Sequence, residues 1–286
     1  MAKMTLNCKE KRTGYCLIAP LVIGYAVFYL VPFLLIINFS VTKGSMGFVG
    51  IENYMAVLQN GSFQLAVGNT IYFLGVSLPL ILIISFAIAL LLKSKQIPFL
   101  KSVMMLPYVM PVVGTTVIID LLFSETGLLN SVLDFLQLPV QAWLESAYAF
   151  WIMLLLFLWK NTGYAVILLL AGLNTIPESQ YDAASVDGAG KLDQLRYITI
   201  PQMWYSIFFA LFFSLINAFK CFREVFLIGG THPHESIYTL QHFLNNCFDS
   251  LNYANLSVAS IVLLIPLNAV FILLYRWVME KEGDKR

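Results

Sequence analysis

Thr175-Ile-Pro-Glu-Ser-Gln-Tyr-Asp-Ala-Ala-Ser-Val-Asp-Gly-Ala-Gly-Lys191, running on to Ile200-Pro201, is the longest polar interruption in the second half of an otherwise apolar chain. Thr175 and Glu178 have the Thr-x-x-Glu spacing of a capping box, and Pro177 is tolerated in a first helical turn. The spacing predicts a short helix over about 177–186, with Glu178 and Asp182 one turn apart on one face. Gly188 suits its end, because a residue without Cβ accepts the left-handed backbone that closes a helix. A second short helix is expected over about 191–200, stopped by Pro201. Ala183, Ala184, Ser185, Gly188 and Ala189 leave little side-chain bulk at the joint. A bare surface edged with carboxylates suits close contact with a socket on another protein; on the residues alone a tightly packed loop is the plainer reading.

What surrounds this stretch fixes the class. The 286 residues are 59% hydrophobic and only 12% charged, against about 25% charged in soluble domains. A net charge of +1 excludes a broad nucleic-acid surface. The four cysteines, Cys8, Cys16, Cys221 and Cys247, form no CxxC pair, and no disulfide framework is expected. The basic start Lys9-Glu-Lys-Arg12 leads into an apolar run to about residue 37, too long for a signal-peptide core and without a small-residue cleavage site. It reads as a membrane anchor.

A helix needs roughly 20 apolar residues to cross a hydrocarbon core. Six such spans are expected at about 14–39, 69–92, 102–123, 147–172, 203–227 and 255–278. They are too long for barrel strands and do not alternate. The fold class is therefore all-α, a polytopic bundle of six transmembrane helices in one membrane domain, with a loop at 175–201. Short helices are expected near 48–54 and over 238–246. Basic residues set the orientation. Lys3, Lys9, Lys11 and Arg12, then Lys93, Lys95 and Lys101, then Lys191 and Arg196, then Arg276, Lys281, Lys285 and Arg286 fall on one side; the opposite loops hold only Lys43. Both termini and the 175–201 loop are thus expected in the cytoplasm.

The order of residues in that loop strongly resembles the signature of binding-protein-dependent ABC importer permeases, EAA-x-x-DGA followed by I-x-LP. Here it stands as Asp182-Ala183-Ala184, Asp187-Gly188-Ala189 and Ile198-Thr-Ile-Pro201, with Asp182 in place of Glu and Ile200 in place of Leu. Tyr15-Cys-Leu-Ile-Ala-Pro20, Val31-Pro-Phe33, Phe48-Val-Gly-Ile-Glu-Asn-Tyr54, Leu106-Pro-Tyr-Val-Met-Pro111, Ala171-Gly-Leu173 and the Phe219 to Gly230 stretch resemble landmarks of the carbohydrate-uptake members. Among these the chain is similar to the first-permease type of maltose and glycerol-phosphate importers. It departs where such chains carry Gly-Gly-Pro; here Gly229-Gly230-Thr231 delays the proline to Pro233.

The resemblance implies a type I importer permease in a bacterial cytoplasmic membrane, forming half of a path for a sugar or oligosaccharide. It implies a second, homologous permease, two cytosolic ATP-binding subunits, and an extracytoplasmic solute-binding protein. Glu178, Asp182, Ala183, Ala184, Asp187, Gly188 and Ala189 would couple to the ATPase. No cofactor is expected in this chain, since ATP and Mg would be bound by the partner subunits.

Charges inside the apolar segments mark candidate path residues. Lys160 lies within the fourth span beside Trp159 and Asn161, and Tyr164 follows one turn later. In the fifth, Phe213, Ser214, Asn217, Lys220, Cys221 and Glu224 share one arc at helical spacing, with Arg223 at its edge. Charges at bilayer depth face the bundle interior or a watery cavity. Two readings stay open: a polar path whose Trp159, Tyr164 and Phe213 offer ring faces to a sugar, or internal neutralisation with Lys160 or Lys220 paired to Glu224. The positive excess would also suit an acidic or phosphorylated sugar.

His232, His234, Glu235 and His242 have irregular spacing, and no metal is expected there. No G-x-x-x-x-G-K-[ST] loop and no G-x-S-x-G elbow occur, so the chain is expected to be a transport subunit and no enzyme. The alternative is a secondary carrier driven by an ion gradient, which would need a titratable relay. Glu224 and Asp120 are the acids available to it.

Overall fold

The computed structural model describes residues 8–44, 47–95 and 98–283. Lys3, Lys285 and Arg286 of the charge pattern lie outside the described residues. The chain divides into two units, one of residues up to 60 with 247–265, the other of 61–246 with those from 266.

In the first unit an apolar run is helical throughout, as α1 (Cys8–Tyr25), a wider π-turn segment (Ala26–Leu30) and α2 (Val31–Val41). Its side chains are outward: Leu17, Leu21 and Phe28 are each about three-quarters exposed. Helix α3 (Glu52–Leu58) begins later than the expected 48–54, because Phe48 is held extended in an antiparallel bridge to Thr42. Asn53 ties α3 back to the end of α2, its amide donating to the carbonyls of Ser40 (3.1 Å) and Thr42 (2.9 Å).

The second unit is built on α8 (Tyr148–Leu173), whose residues are mostly buried. A helix apolar on every side belongs at the centre of a bundle. It packs along α4 (Gly61–Lys95), and Phe73 of α4 meets Phe157 of α8 at 5.5 Å. Helix α5 (Pro98–Val109) crosses α8 at Gly163, where an added Cβ would lie 1.8 Å from the Met104 carbonyl oxygen. Helix α12 (Trp204–Lys220) crosses it at Gly172, where a Cβ would lie 2.1 Å from the Ser206 hydroxyl. Both crossings need hydrogen in place of a side chain. Several hydroxyls inside the apolar helices bond their own backbone, as Thr70 to Ala66 O (2.8 Å) and Thr162 to Leu158 O (2.6 Å), which satisfies them where lipid offers no partner; Ser77 Oγ in α4 is buried without one among the described residues.

Among the described residues, six helical stretches are long and apolar enough to cross a membrane: Tyr15–Val41, Gly61–Lys93, Val112–Phe135, Tyr148–Leu173, Trp204–Gly229 and Tyr253–Leu273. Two differ from the expected spans in continuity. The third, expected unbroken at 102–123, is divided there into α5 and α6 (Val112–Phe123) by an interruption at Met110 and Pro111, and the stretch long enough to cross runs from Val112 to Phe135 instead. Pro111 is extended (ψ 146), and a bend then leads to α7 (Leu128–Phe135). The fifth is divided at Cys221 into α12 and α13 (Phe222–Gly229).

The polar loop forms α9 (Glu178–Val186), α10 (Lys191–Gln194), a π-turn segment (Leu195–Thr199) and α11 (Ile200–Gln202). Pro201 does not stop the second helix. It sits inside the last turn, and the helix is interrupted at Met203 (φ −95, ψ 5) instead. A proline ring clashes with the carbonyl four residues earlier, and widening the preceding turn relieves that clash. The same device recurs before Pro32, where Ala26–Leu30 widens at the same offset. After α13, Tyr238 is extended (ψ 99), so the helix expected over 238–246 becomes α14 (Leu240–Asp249). Helix α15 (Tyr253–Gly283) ends the described chain.

Candidate functional site

The two interruptions at Pro111 and Cys221 border one cavity of about 230 Å³ against α8. Its wall includes Tyr108, Lys160, Asn161, Asn217, Lys220, Arg223 and Glu224. Irregular backbone within a membrane span is tolerated where it lines such a space.

Lys160 Nζ donates to Glu224 Oε1 at 2.5 Å, linking α8 to α13. Glu224 is 4% exposed, and its other oxygen, Oε2, has no hydrogen-bond partner among the described residues. Of the two readings left open by the sequence, neutralisation therefore holds for Lys160 with Glu224, yet half of the carboxylate stays unsatisfied. Lys220 and Arg223 are exposed and form no ion pair among the described residues. Asn161 donates to Phe157 O at 2.9 Å, while the Asn217 side chain makes no hydrogen bond among the described residues.

Beside this cavity an aromatic stack runs through three helices. Tyr108 and Tyr164 lie nearly parallel at 4.7 Å, and Phe213 meets Tyr164 edge-on at 5.8 Å. Tyr108 was not legible as a site residue; its position between Pro107 and the interruption at Pro111 was the available signal. Trp159 stands outside the cavity lining on an exposed stripe of α8 with Trp151 and Leu155, and Ser214 is buried away from it.

The second feature is the elbow made by α9 and α10. Gly188 has φ +84 and closes α9 as expected. The Ala189 N–H donates to Ala184 O (2.9 Å) and the Gly188 N–H to Ser185 O (3.1 Å), the paired bonds of a Schellman end. The capping box expected from Thr175 and Glu178 is absent. Pro177 is the N-cap and bonds nothing through its side chain, while the Thr175 hydroxyl turns back to Gly172 O at 2.7 Å.

Instead the elbow is cross-braced from residues that the sequence did not single out. Gln194 Nε2 donates to Ser185 Oγ at 2.8 Å, and more weakly towards the carbonyls of Tyr181 and Ala189, both at 3.4 Å. Tyr181 and Thr199 share a hydroxyl bond at 2.9 Å. Lys93 Nζ sits 4.7 Å above the Tyr181 ring and donates to Leu173 O at 3.0 Å, tying the elbow to the ends of α4 and α8. Glu178, Asp182, Ala183, Asp187 and Gly188 are exposed on this elbow, with Ala184 and Ala189 half-buried at its inner side. Three apolar side chains project there too: Val186 is 89% exposed, Leu192 75% and Tyr197 69%.

The histidines are dispersed in role. His234 Nδ1 accepts from the Ser236 N–H at 3.2 Å, and His232 bonds Thr231. His242 is fully buried, accepts from the Thr239 N–H at 3.2 Å, and is held by burial down at a pKa of about 4.

The family described as binding-protein-dependent transport system inner membrane component matches residues 54–281. The sulfoquinovosyl glycerol transport system permease protein SmoG of Agrobacterium fabrum is 32% identical, over 95% of this chain and 92% of that protein. The arabinooligosaccharides transport system permease protein AraP of Bacillus subtilis is 29% identical, over 91% of this chain and 87% of that protein. The trehalose/maltose transport system permease protein MalF of Thermococcus litoralis is 28% identical, over 93% and 95%. In fold, the chain is similar to one from a bacterial ABC transporter involved in the import of the acidic polysaccharide alginate, with a TM-score of 0.82 at 18% identity, covering 95% of this chain and 96% of that one. A second alginate transporter structure, in complex with a pentasaccharide-bound periplasmic protein, aligns with a TM-score of 0.74 at 20% identity, over 97% and 95%. With the family match extending over most of its length, this chain belongs to the inner membrane components of binding-protein-dependent transport systems.

Proposed function

We propose that this chain supplies one half of the path of an ATP-driven importer for a sugar or oligosaccharide. The observation that carries the reading is the polar cavity itself, walled by Lys160, Asn161, Asn217, Lys220, Arg223 and Glu224 beside a tyrosine stack. A sugar offers hydroxyl groups for such a wall and C–H faces for the rings. The volume of about 230 Å³ is below the roughly 300–1,000 Å³ of pockets that enclose drug-sized ligands, so it accommodates a single ring of the cargo. The names borne by the relatives, which transport sugars and oligosaccharides, support the same class.

The driving force comes from outside the chain. The braced elbow docks on a cytosolic ATP-binding subunit through Val186, Leu192 and Tyr197, framed by Glu178, Asp182 and Asp187. A second permease completes the path, and a solute-binding protein delivers the cargo from the other side; both termini lie in the cytoplasm. A short helix with fixed ends moves as one piece, so closure of the ATPases displaces α9 and α10 and, through Lys93 and Tyr181, the ends of α4 and α8. ATP and Mg stay with the partner subunits. Membership of a binding-protein-dependent family favours this over the ion-gradient carrier. Uptake by the reconstituted transporter tests it: Glu224→Gln and Asn217→Ala should lower sugar uptake at least tenfold, and wild-type uptake by both would overturn the assignment of the cavity.

A further inference from the structure

Resting on that assignment of the cavity, we infer that the cargo carries a negative charge, a sugar bearing a carboxylate, sulfonate or phosphate, and that Lys220 and Arg223 are the residues that select it. The cavity wall holds three cations, Lys160, Lys220 and Arg223, against the single carboxylate of Glu224. Lys160 is consumed by its pairing with that carboxylate. The other two have no acidic partner among the described residues.

Nor does any neighbouring helix offer one. Helices α4, α5, α8 and α12 contain no Asp or Glu, α13 contains only Glu224, and the Asp120 of α6 lines a different cavity with Glu125 and Glu145. An uncompensated pair of cations within a membrane span is costly unless water or a counter-charge meets it. A cavity with low-dielectric walls and one sign of charge concentrates ions of the opposite sign.

The geometry fits a solute with both a hydroxyl and an anion. The Asn217 amide lines the cavity and has no hydrogen-bond partner among the described residues, so it can meet the hydroxyl, and a second carboxylate-bearing wall would be needed if the cargo were cationic. The Arg223 guanidinium presents a planar fork that pairs with carboxylate, sulfonate or phosphate oxygens, and Lys220 adds a point charge three residues away. A neutral sugar meets the Asn217 amide but brings no counter-charge to either cation.

The test uses the assembled transporter in proteoliposomes with its binding protein, second permease and ATPases. The probes are uronate disaccharides, the same disaccharides with their carboxyl groups reduced to alcohols, and a hexose phosphate. The expected result is uptake of at least one anionic probe, at least about tenfold faster than of the reduced disaccharides. The double variant K220Q/R223Q should erase that preference, and Lys220→Arg with Arg223→Lys should keep it. Equal or faster uptake of the reduced disaccharides, uptake of no anionic probe, or an undiminished preference in K220Q/R223Q overturns the inference. The last result would place any anion selection on other residues of the assembled transporter. Glu224→Gln and Asn217→Ala separate the two levels: loss of neutral-sugar uptake in these variants keeps the cavity as the path although the charge selection has failed, and intact uptake removes both.

Discussion

The Lys160 ammonium and the Glu224 carboxylate meet at 2.5 Å between the central helix and the second piece of the divided fifth span. Their side chains are 14% and 5% exposed, so water screens the pair little. Removing one partner of a buried pair strands the other charge, which costs about 3–5 kcal/mol, whereas replacing both by apolar residues is often neutral. Lys160→Met and Glu224→Leu should therefore each lower the melting temperature in detergent, and the double variant should recover most of the loss. Additive losses in the double-mutant cycle would contradict the pairing.

Gly188 tests the elbow. Nothing lies within 4 Å of where its Cβ would be, and its φ is +84. A substitution there meets backbone strain alone, about 1–2 kcal/mol. Gly188→Trp should leave the protein in the membrane at normal levels and uncouple ATP hydrolysis from uptake. Wild-type uptake by this variant would remove the need for a closed α9.

Gln194 braces the same joint. Gln194→Ala removes the bond to Ser185 and the weaker ones to Tyr181 and Ala189. Hydrogen exchange across 178–202 should quicken, with transport-coupled ATPase activity falling in parallel. Unchanged exchange would show the brace to be idle.

These residues also show what a sequence can disclose. Gly188 was readable because a left-handed helix end requires a residue without Cβ, and the six spans because apolar length is conclusive in a membrane. The brace was unreadable: Gln194 meets Ser185 across the joint, and nothing in local spacing specifies that. Thr175 matched a capping pattern but bonds Gly172 behind it, since Pro177 already sets the extended backbone of the cap. The division at Pro111 was missed because proline within a membrane helix is compatible with both a kink and a break. The arc from Asn217 to Glu224 was legible from helical period; Trp159 shared the neighbourhood in sequence and faces outward in space.

Close packing at α8 gives a paired prediction. A Cβ at position 163 collides with the Met104 carbonyl, whereas one at Gly75 meets nothing within 4 Å. Gly163→Ala should destabilise by about 1–3 kcal/mol, as overpacking does. Gly75→Ala should be neutral or slightly stabilising by helix propensity. Thermal melts of the two variants should move in opposite directions or differ by several degrees.

His242 makes stability depend on pH. Burial lowers its pKa from 6.5 to about 4, so the unfolded chain binds a proton there that the folded chain refuses. Its contribution is complete above about pH 6.5 and is lost as pH falls towards about 4. Melting temperature should decline through that window, and less steeply in His242→Phe. An identical pH slope in the variant would assign the decline to other groups.

Under the proposed function a passive conduit is driven through its elbow by a separate motor. A single cysteine at Leu192→Cys, in a chain whose four native cysteines are replaced, tests it in the assembled transporter. The account predicts labelling by a membrane-impermeant maleimide only from the cytoplasmic face, protection when the ATP-binding subunits are present, and a cross-link to one of them. Labelling from the outside, or full labelling with the ATP-binding subunits bound, would contradict it.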